Sequence, residues 1–500
     1  MYKVSHRILS LAGQRMGFFI GLMLLFLICL LGYLKTEEIT FFAVPFSLLT
    51  LIWGIGDFRR IYLLIWATIP FAIEVNLPGG LSTDFPAEML MWLSCLLFLS
   101  YLFLYHKRIN FRFILHPLFI ILAIHFFWII VTTIVSTEPL ISIKYTLAKS
   151  WYLVCFILIP LILFAEIKDF KQWGLFFLIP LVITIIIIMI RHGQHGFKFE
   201  SINAAVVPIY RNHVDYACTL GIILPFVWFL RRWFKDPLAR SFLLVAIILI
   251  LAGIFFSFTR AAWVSVPLAI GIYFIIKFRL MRAVIPIALG VSIIVIGWLG
   301  YKNRYIDFSP DYEKAVTHQK FNDVLSATYK MEDISTVERF YRWVAGYYMV
   351  IEKPIAGFGP GSFYSRYHSY VDRHFRTYVS DNPEHSGMHN YYLMTAVEQG
   401  IIGLIIFMGL IIMVLLYGER LYHTLPKGPY KELLMAALVS FCCILFILTL
   451  NDMVETDKVG SFFFFCIAIV IVVAIQTKNV GFQKFISTPH STPANEDINQ

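Results

Sequence analysis

Residues 389–407 read HNYYLMTAVEQGIIGLIIF, a polar pair that leads directly into a long apolar run. The run continues to about residue 417, and apolar runs of similar length recur between residues 17 and 476. Stretches of about 17–25 apolar residues are typical of transmembrane helices. The runs do not alternate as barrel strands do. The sequence therefore predicts an all-α polytopic membrane protein.

Composition and charge support this class and exclude others. The chain is 59% hydrophobic and 14% charged, whereas soluble proteins carry about 25% charged residues. All seven cysteines fall within predicted spans, without CxxC or Cys/His spacing, so neither a disulfide framework nor a metal site is indicated. The net charge of +10 comes from short loops. There it sets topology and contacts anionic membrane lipids, and nucleic acid is not an expected partner.

We predict about fourteen transmembrane helices, with a range of 12–14. The spans are expected near 17–34, 39–55, 61–75, 86–105, 113–135, 151–165, 173–190, 214–230, 241–257, 261–276, 283–300, 392–417, 432–450 and 459–476. The first is interpreted as a retained helix, with a cleaved signal peptide as the alternative. The pair 241–257 and 261–276 is so closely spaced that one bent helix is the alternative reading.

The distribution of lysine and arginine predicts the orientation. Short loops on one side and the termini hold 22 of these residues, and short loops on the other side hold 8. Positive short loops stay in the cytoplasm, whereas long loops translocate largely regardless of charge. Both termini are therefore predicted to be cytoplasmic, and the long loop 301–388 extracytoplasmic.

Four residues on the predicted outer side are candidates for chemistry, namely Arg211, Arg260, Arg339 and His389. Arg260 lies in a short apolar turn, where an unpaired guanidinium is costly. It is either a topological or salt-bridged arginine, or a clamp for an anion such as a lipid diphosphate. For Arg339 and Arg342, which begin the next predicted helix, a solvated side chain is the alternative reading.

The segment after Arg339 predicts an amphipathic helix that ends at Lys353-Pro354. Its apolar stripe either packs on the protein or lies in the membrane interface. That stripe comprises Phe340, Trp343, Val344, Tyr347, Tyr348 and Ile351. The next motif, GFGPG at 357–361, lacks the GK[ST] ending of a phosphate loop, so a turn toward the membrane is the favoured interpretation.

His389 has two readings. It is either a helix-end histidine, capped by Asn390 or Ser386, or a base that the positive helix terminus keeps neutral. A neutral histidine beside arginines suits removal of a proton from a sugar hydroxyl. A rival base and candidate supporting groups are His385, Asp381, Glu384 and Glu398. Glu398 lies about 13 Å along the helix from His389, so we expect it to be buried and paired locally.

This combination resembles the O-antigen ligase/polymerase superfamily of bacterial envelope glycosyltransferases. The resemblance covers about residues 205–415 and rests most on the stretch at 389–407, a His-Asn followed by an apolar helix with Glu-x-Gly. The other matching pieces are the long outer loop, SFTRAAW at 257–263, R-x3-W at Arg339–Trp343 and PIAGFGPGSF at 354–363. Thr259 stands where the family often has serine.

The resemblance implies a GT-C-like enzyme without metal or cofactor. Such an enzyme moves a glycan from undecaprenyl diphosphate to a glycan, lipid A-core or protein acceptor, with inversion, at the periplasmic face of the bacterial inner membrane. It implies His389 as the catalytic base, Arg260 and Arg339 as diphosphate ligands, and Arg211 as a further contact. The sequence offers Asn390, His385 and Glu398 as supporting residues. Together with the predicted topology, the chain divides into N-terminal helices (1–204), the helices of the ligase-related domain (205–300), the long loop (301–388), C-terminal helices (389–476) and a cytoplasmic disordered tail (477–500).

Two alternatives come from other classes of protein. A transporter or flippase of lipid-linked oligosaccharide would place charges and broken helices deep in the membrane. The spans here are mostly clean, although Glu74, Glu88 and Glu398 are exceptions. A structural membrane scaffold would need no outer cluster of arginine and histidine.

Overall fold

The computed structural model describes residues 58–77, 81–105, 111–164, 166–302, 304, 334–371 and 387–486. Within them, eleven helices are long and apolar enough to cross a membrane. The elements are α1 (Phe58–Thr68), β1 (Ile73–Leu77), β2 (Leu81–Phe85), α2 (Ala87–Tyr105), α3 (Pro117–Ile134), α4 (Pro139–Leu153), α5 (Ile159–Leu163), α6 (Ile167–Gly193), α7 (Ile202–Val206), α8 (His213–Trp233), α9 (Pro237–Phe256), α10 (Arg260–Lys277), α11 (Met281–Gly300), α12 (Ile334–Glu352), α13 (Phe363–Arg366), α14 (Tyr391–Thr424), α15 (Pro429–Ile447) and α16 (Asp457–Ile486). The polytopic helical prediction is confirmed for this part of the chain, and the predicted spans 17–34 and 39–55 lie outside it.

The predicted span 61–75 is wrong at its end. Helix α1 stops at Thr68, a 3-10 turn covers Ile69–Phe71, and strand β1 pairs antiparallel with β2 in a small hairpin. Pro70 removes a backbone donor where the helix would continue, and the sequence after it alternates in the manner of a strand. The fold is therefore helical except for this hairpin among the described residues.

The predicted span 151–165 begins too late. The membrane-length helix there covers 139–163 and consists of α4, a π-helical turn at Val154–Leu158 and α5. Lys144 and Lys149 lower the apolar character of its first half, so the hydropathy pattern marks only the second half. The last helix, α16, also continues beyond the predicted boundary at 476, as far as Ile486.

The closely spaced pair 241–257 and 261–276 forms two helices, so the alternative of one bent helix is wrong. Helix α9 ends at Phe256 and α10 begins at Arg260. Between them Phe258 adopts a left-handed φ of 54°, which reverses the chain.

The loops predicted to lie on one side do meet at one end of the helix bundle. Arg211 forms a salt bridge with Glu74 of the hairpin (Nε–Oε2, 2.7 Å). The Lys458 ammonium donates to the carbonyl of Ala72 (3.0 Å), and the Tyr391 amide donates to the carbonyl of Leu448 (3.0 Å). We call this the site end.

The opposite end has contacts of its own. Arg59 bonds to Asp169, and the Trp233 indole donates to Glu432 (3.0 Å). The amide of Met281 donates to Glu419 (3.0 Å). The separation of the two ends agrees with the alternation of sides that the basic loops predict.

The amphipathic helix α12 ends at Glu352, next to the predicted stop. Its buried residues include Tyr341, Arg342, Ala345 and Met349, and it packs on α14. Three residues of the predicted apolar stripe are exposed, at 54% (Tyr347), 40% (Tyr348) and 58% (Ile351). This split fits a helix that packs by one face and leaves an aromatic face for the membrane interface.

Candidate functional site

The polar pair before α14 forms the centre of the site. The Asn390 side chain accepts from the amide of Leu393 (3.0 Å), so Asn390 is the N-cap, as one of the two predicted caps. Its amide nitrogen also donates to the carbonyl of Thr449 (3.4 Å). His389 precedes it in a left-handed conformation (φ 56°), which non-glycine residues seldom adopt. The backbone thus holds the imidazole in one place ahead of the helix.

The imidazole of His389 is partly buried and kept neutral. Burial first, and then the positive charges of Arg339 and Arg342, together lower the pKa of His389 to about 3, against an opposing contribution from Asn451. The Nδ1 atom is buried and has no hydrogen-bond partner among the described residues. The structure therefore brings the predicted base into the electrostatic field of the predicted Arg339.

Helix α12 positions the segment that carries His389. The Trp343 indole donates to the carbonyl of Met388 (3.1 Å), and the Arg342 guanidinium donates to the carbonyl of Gly387 (2.9 Å). Arg342 is 5% exposed and pairs with Glu338 one turn earlier (3.5 Å). The alternative prediction, that the two arginines of this helix are simply solvated, is therefore wrong for Arg342.

Arg260 is the first residue of α10 at the site end, and it is half-buried. Its turn is tied to the start of α8, because the Thr259 hydroxyl donates to the carbonyl of His213 (3.3 Å). Thr259 therefore retains the hydroxyl group of the serine that the family often has at this position. Its hydrogen bond holds the turn before Arg260 against the start of α8.

Arg211 faces a separate cavity of about 400 Å³ at the same end. Besides the salt bridge to Glu74, the cavity is lined by the carboxyl groups of Asp84, Asp215 and Asp457 and by Lys458. Burial opposes the charge of Arg211, but these carboxylates raise its pKa above the ordinary value. Its charge is thus largely balanced by protein groups.

Glu398 is buried at 3% exposure, as predicted, but its partner is not local. Its carboxyl oxygen accepts from the amide of Phe363 (3.3 Å), which is 35 residues earlier in the chain. Helix α14 is interrupted just after it, where Gly400 has φ 71°. The predicted continuous helix is therefore broken at this point.

The glycine-rich segment 354–363 lies against that break. The amides of Phe358 and Gly359 donate to the carbonyls of Val397 and Glu398 (2.9 Å each), and the amide of Ile401 donates to the carbonyl of Pro354 (2.7 Å). An added Cβ at Gly357 would overlap the Val397 carbonyl. The segment thus saturates backbone groups that the broken helix exposes. Segment 354–363 therefore has a structural role and is not a phosphate-binding loop. We call it the clasp.

A partly buried ion-pair network lies beside the first turn of α14. Lys149 is 5% exposed and pairs with Glu455 (2.9 Å). The hydroxyls of Tyr145 and Tyr391 donate to the same carboxylate oxygen (2.9 and 3.0 Å). This network joins α4 to the residue two positions after His389.

Sequence reasoning missed several of these groups. Arg342, one turn after Arg339, was not assigned to the site, although the helical spacing signals it. Asn451 was missed too, and its signal is a polar Asn-Asp pair that follows a span on the predicted outer side. The partnership of Lys149 with Glu455 had no local signal. His385, Asp381, Glu384 and Ser386 lie outside the described residues.

These features together define a multi-pass membrane protein with a cationic, histidine-containing site at one end of its helices. A family model described as O-Antigen ligase matches residues 244–408, a range that includes Arg260, Arg339 and His389. The resemblance to the O-antigen ligase/polymerase superfamily is thereby confirmed. The search of curated proteins finds no match to the chain.

Proposed function

We propose that the protein is a glycosyltransferase that moves a glycan from undecaprenyl diphosphate to an acceptor at the outer face of the bacterial inner membrane. The observation that carries the proposal is the neutral His389, close to the charge of Arg339, with an Nδ1 that has no partner in the described part of the chain. The O-antigen ligase match over this region supports the substrate class. The site end would face the periplasm, since the short basic loops lie at the opposite end.

The reaction would be a direct displacement. An acceptor hydroxyl attacks the anomeric carbon of the donor glycan, and a new glycosidic bond forms with inversion. The bond between that carbon and the diphosphate oxygen breaks, and its electron pair leaves with undecaprenyl diphosphate. The hydroxyl proton passes to the imidazole of His389. Arg339 and Arg260 stabilise the charge that develops on the leaving diphosphate.

The low pKa of His389 gives this scheme an order of events. Without substrate, burial and the two arginines keep the imidazole neutral. A bound diphosphate would offset the arginine charges, so the pKa of His389 would rise toward the ordinary value of about 6.5. The base would thus become stronger once the donor is in place. Arg211 would have a lesser role, because Glu74 already balances it.

Replacement of His389 tests the proposal. His389→Ala is expected to abolish glycan transfer from a lipid-linked donor by purified protein, with unchanged folding in detergent. His195→Ala is a suitable control. His195 is exposed at the site end and lies, like Arg211, in the connection between α6 and α8. Undiminished transfer by His389→Ala would contradict the assignment of the base.

The acceptor branch requires a cellular comparison. Envelope glycans with and without the gene are separated by gel and identified by mass spectrometry. Loss of long chains from lipid A would indicate ligation, shortened chains polymerisation, and unmodified protein an oligosaccharyltransferase.

A transporter of lipid-linked oligosaccharide is the second candidate, favoured by one observation. The break at Gly400 next to the buried Glu398 resembles the broken helices of transporters. The clasp 354–363 already bonds the freed backbone groups, however, which argues against an ion or substrate there. Liposomes that move labelled donor lipid without forming a glycosidic bond would favour this candidate.

A further inference from the structure

A second cavity lies at the end of the bundle opposite His389. It has a volume of about 460 Å³ and opens between the last turns of α8, α10 and α14 and the first turn of α15. Four separate helices therefore form its walls. The proposed transfer reaction does not use it.

Basic side chains dominate the lining of this cavity. Five cationic or titratable basic residues line it, and they are Arg232, Lys277, His423, Lys427 and Lys431. Glu432 is its one carboxylate among the lining residues. That carboxylate already accepts from the Trp233 indole (3.0 Å) and lies 3.6 Å from Arg232. The cavity is therefore strongly positive.

Three of the cations have no carboxylate partner among the described residues. Lys277 and Lys427 form no salt bridge there, and Lys431 donates only to the carbonyl of Leu425 (3.0 Å). The Lys431 ammonium also lies over the Tyr422 ring (4.5 Å), and Lys277 lies beside Tyr273 (5.7 Å). Lysines that converge without carboxylates leave room for an external anion.

The walls suit an amphipathic ligand. Phe229, Tyr273 and Tyr422 provide aromatic surface beside the charged groups, as is usual where protein meets the lipid headgroup level. Gly428, at the N-cap of α15, also lines the cavity, and the positive end of a 19-residue helix favours an anion there.

We propose that this cavity binds the phosphodiester headgroup of an anionic phospholipid. The phosphate would lie among Arg232, Lys277, Lys427 and Lys431, and the aromatic walls would contact the glycerol and upper acyl chains. Basic pockets between transmembrane helices bind such headgroups in other membrane proteins. The inference does not depend on the proposed transferase activity.

Lipid titration of delipidated full-length protein tests the proposal. Phosphatidylglycerol and zwitterionic phosphatidylethanolamine are added in detergent, and bound lipid is counted by native mass spectrometry. We expect retention of phosphatidylglycerol only. The double variant Lys277→Gln/Lys427→Gln should bind it about 25-fold more weakly, since each basic residue near a headgroup contributes about 5-fold.

The control variant is Arg279→Gln/Arg282→Gln, which removes two charges at the same end outside the cavity lining. It should bind phosphatidylglycerol as the unaltered chain does, and both double variants should melt at the same temperature as that chain. Equal binding by the two double variants would overturn the site. Inorganic phosphate that displaces the lipid at equal concentration would overturn the lipid assignment in favour of a free-anion site.

Discussion

The clasp between the glycine-rich segment and the broken helix can be tested with a single methyl group. Gly400 has φ 71°, and a Cβ added there would overlap the carbonyl of Ile355. A left-handed conformation costs an alanine about 1–2 kcal/mol. If the overlap also displaces segment 354–363, the three clasp hydrogen bonds are lost at about 1 kcal/mol each. With both contributions, we expect Gly400→Ala to lower the free energy of unfolding by about 4–5 kcal/mol.

Gly409→Ala in the same helix is the matched control. Its added Cβ would meet only Ile121 at an ordinary contact distance (3.4 Å). Glycine to alanine in a regular helix is favourable by about 1 kcal/mol. The two alanines, nine positions apart, should thus shift thermal unfolding in detergent in opposite directions. Equal melting temperatures for the two variants would refute the clasp.

The remaining predictions concern charge at the site end. Arg339→Gln should raise the pKa of His389, because it removes a nearby positive charge. The imidazole can accept a proton only above that pKa, so the acid limb of the pH profile should move to higher pH, and an unmoved limb would contradict the electrostatic link. Lys149→Met should cost about 1–3 kcal/mol of stability, measured by denaturant unfolding, because Glu455 loses its cation, and adding Glu455→Gln should recover part of it. Arg260→Lys should reduce transfer at least about 10-fold, since lysine keeps the charge without the planar fork, and full activity would exclude a bidentate contact.

Hydropathy predicted the helices well and their ends poorly. Long runs such as 173–190 must be helical in lipid, because every backbone group needs an internal partner there. The hairpin at Ile73–Phe85 was missed because five-residue strands next to a helix give a weak signal. The first half of 139–163 was missed because Lys149 is buried and paired with Glu455 only through a tertiary contact, which hydropathy does not detect.

The candidate site was likewise predictable only in part. His389 and Asn390 were predictable because a helix start leaves a local pattern, and the cap was confirmed. The break at Gly400 was not predictable, because an apolar run with one glycine also fits a continuous helix. Its cause is a segment some 40 residues earlier in the chain that supplies the missing backbone partners.

The bonds from α12 to the carbonyls of Gly387 and Met388 have a consequence for chain length. The residues on both sides of the connection 372–386 are held by contacts that do not involve it. Residues 334–371 include the clasp, and the carbonyls of Gly387 and Met388 accept hydrogen bonds from Arg342 and Trp343. Insertions in that connection need not move His389, and doubling a loop costs only about 0.6 kcal/mol of closure entropy. Such a chain can vary in length between residues 371 and 387 while the imidazole of His389 keeps its place ahead of α14.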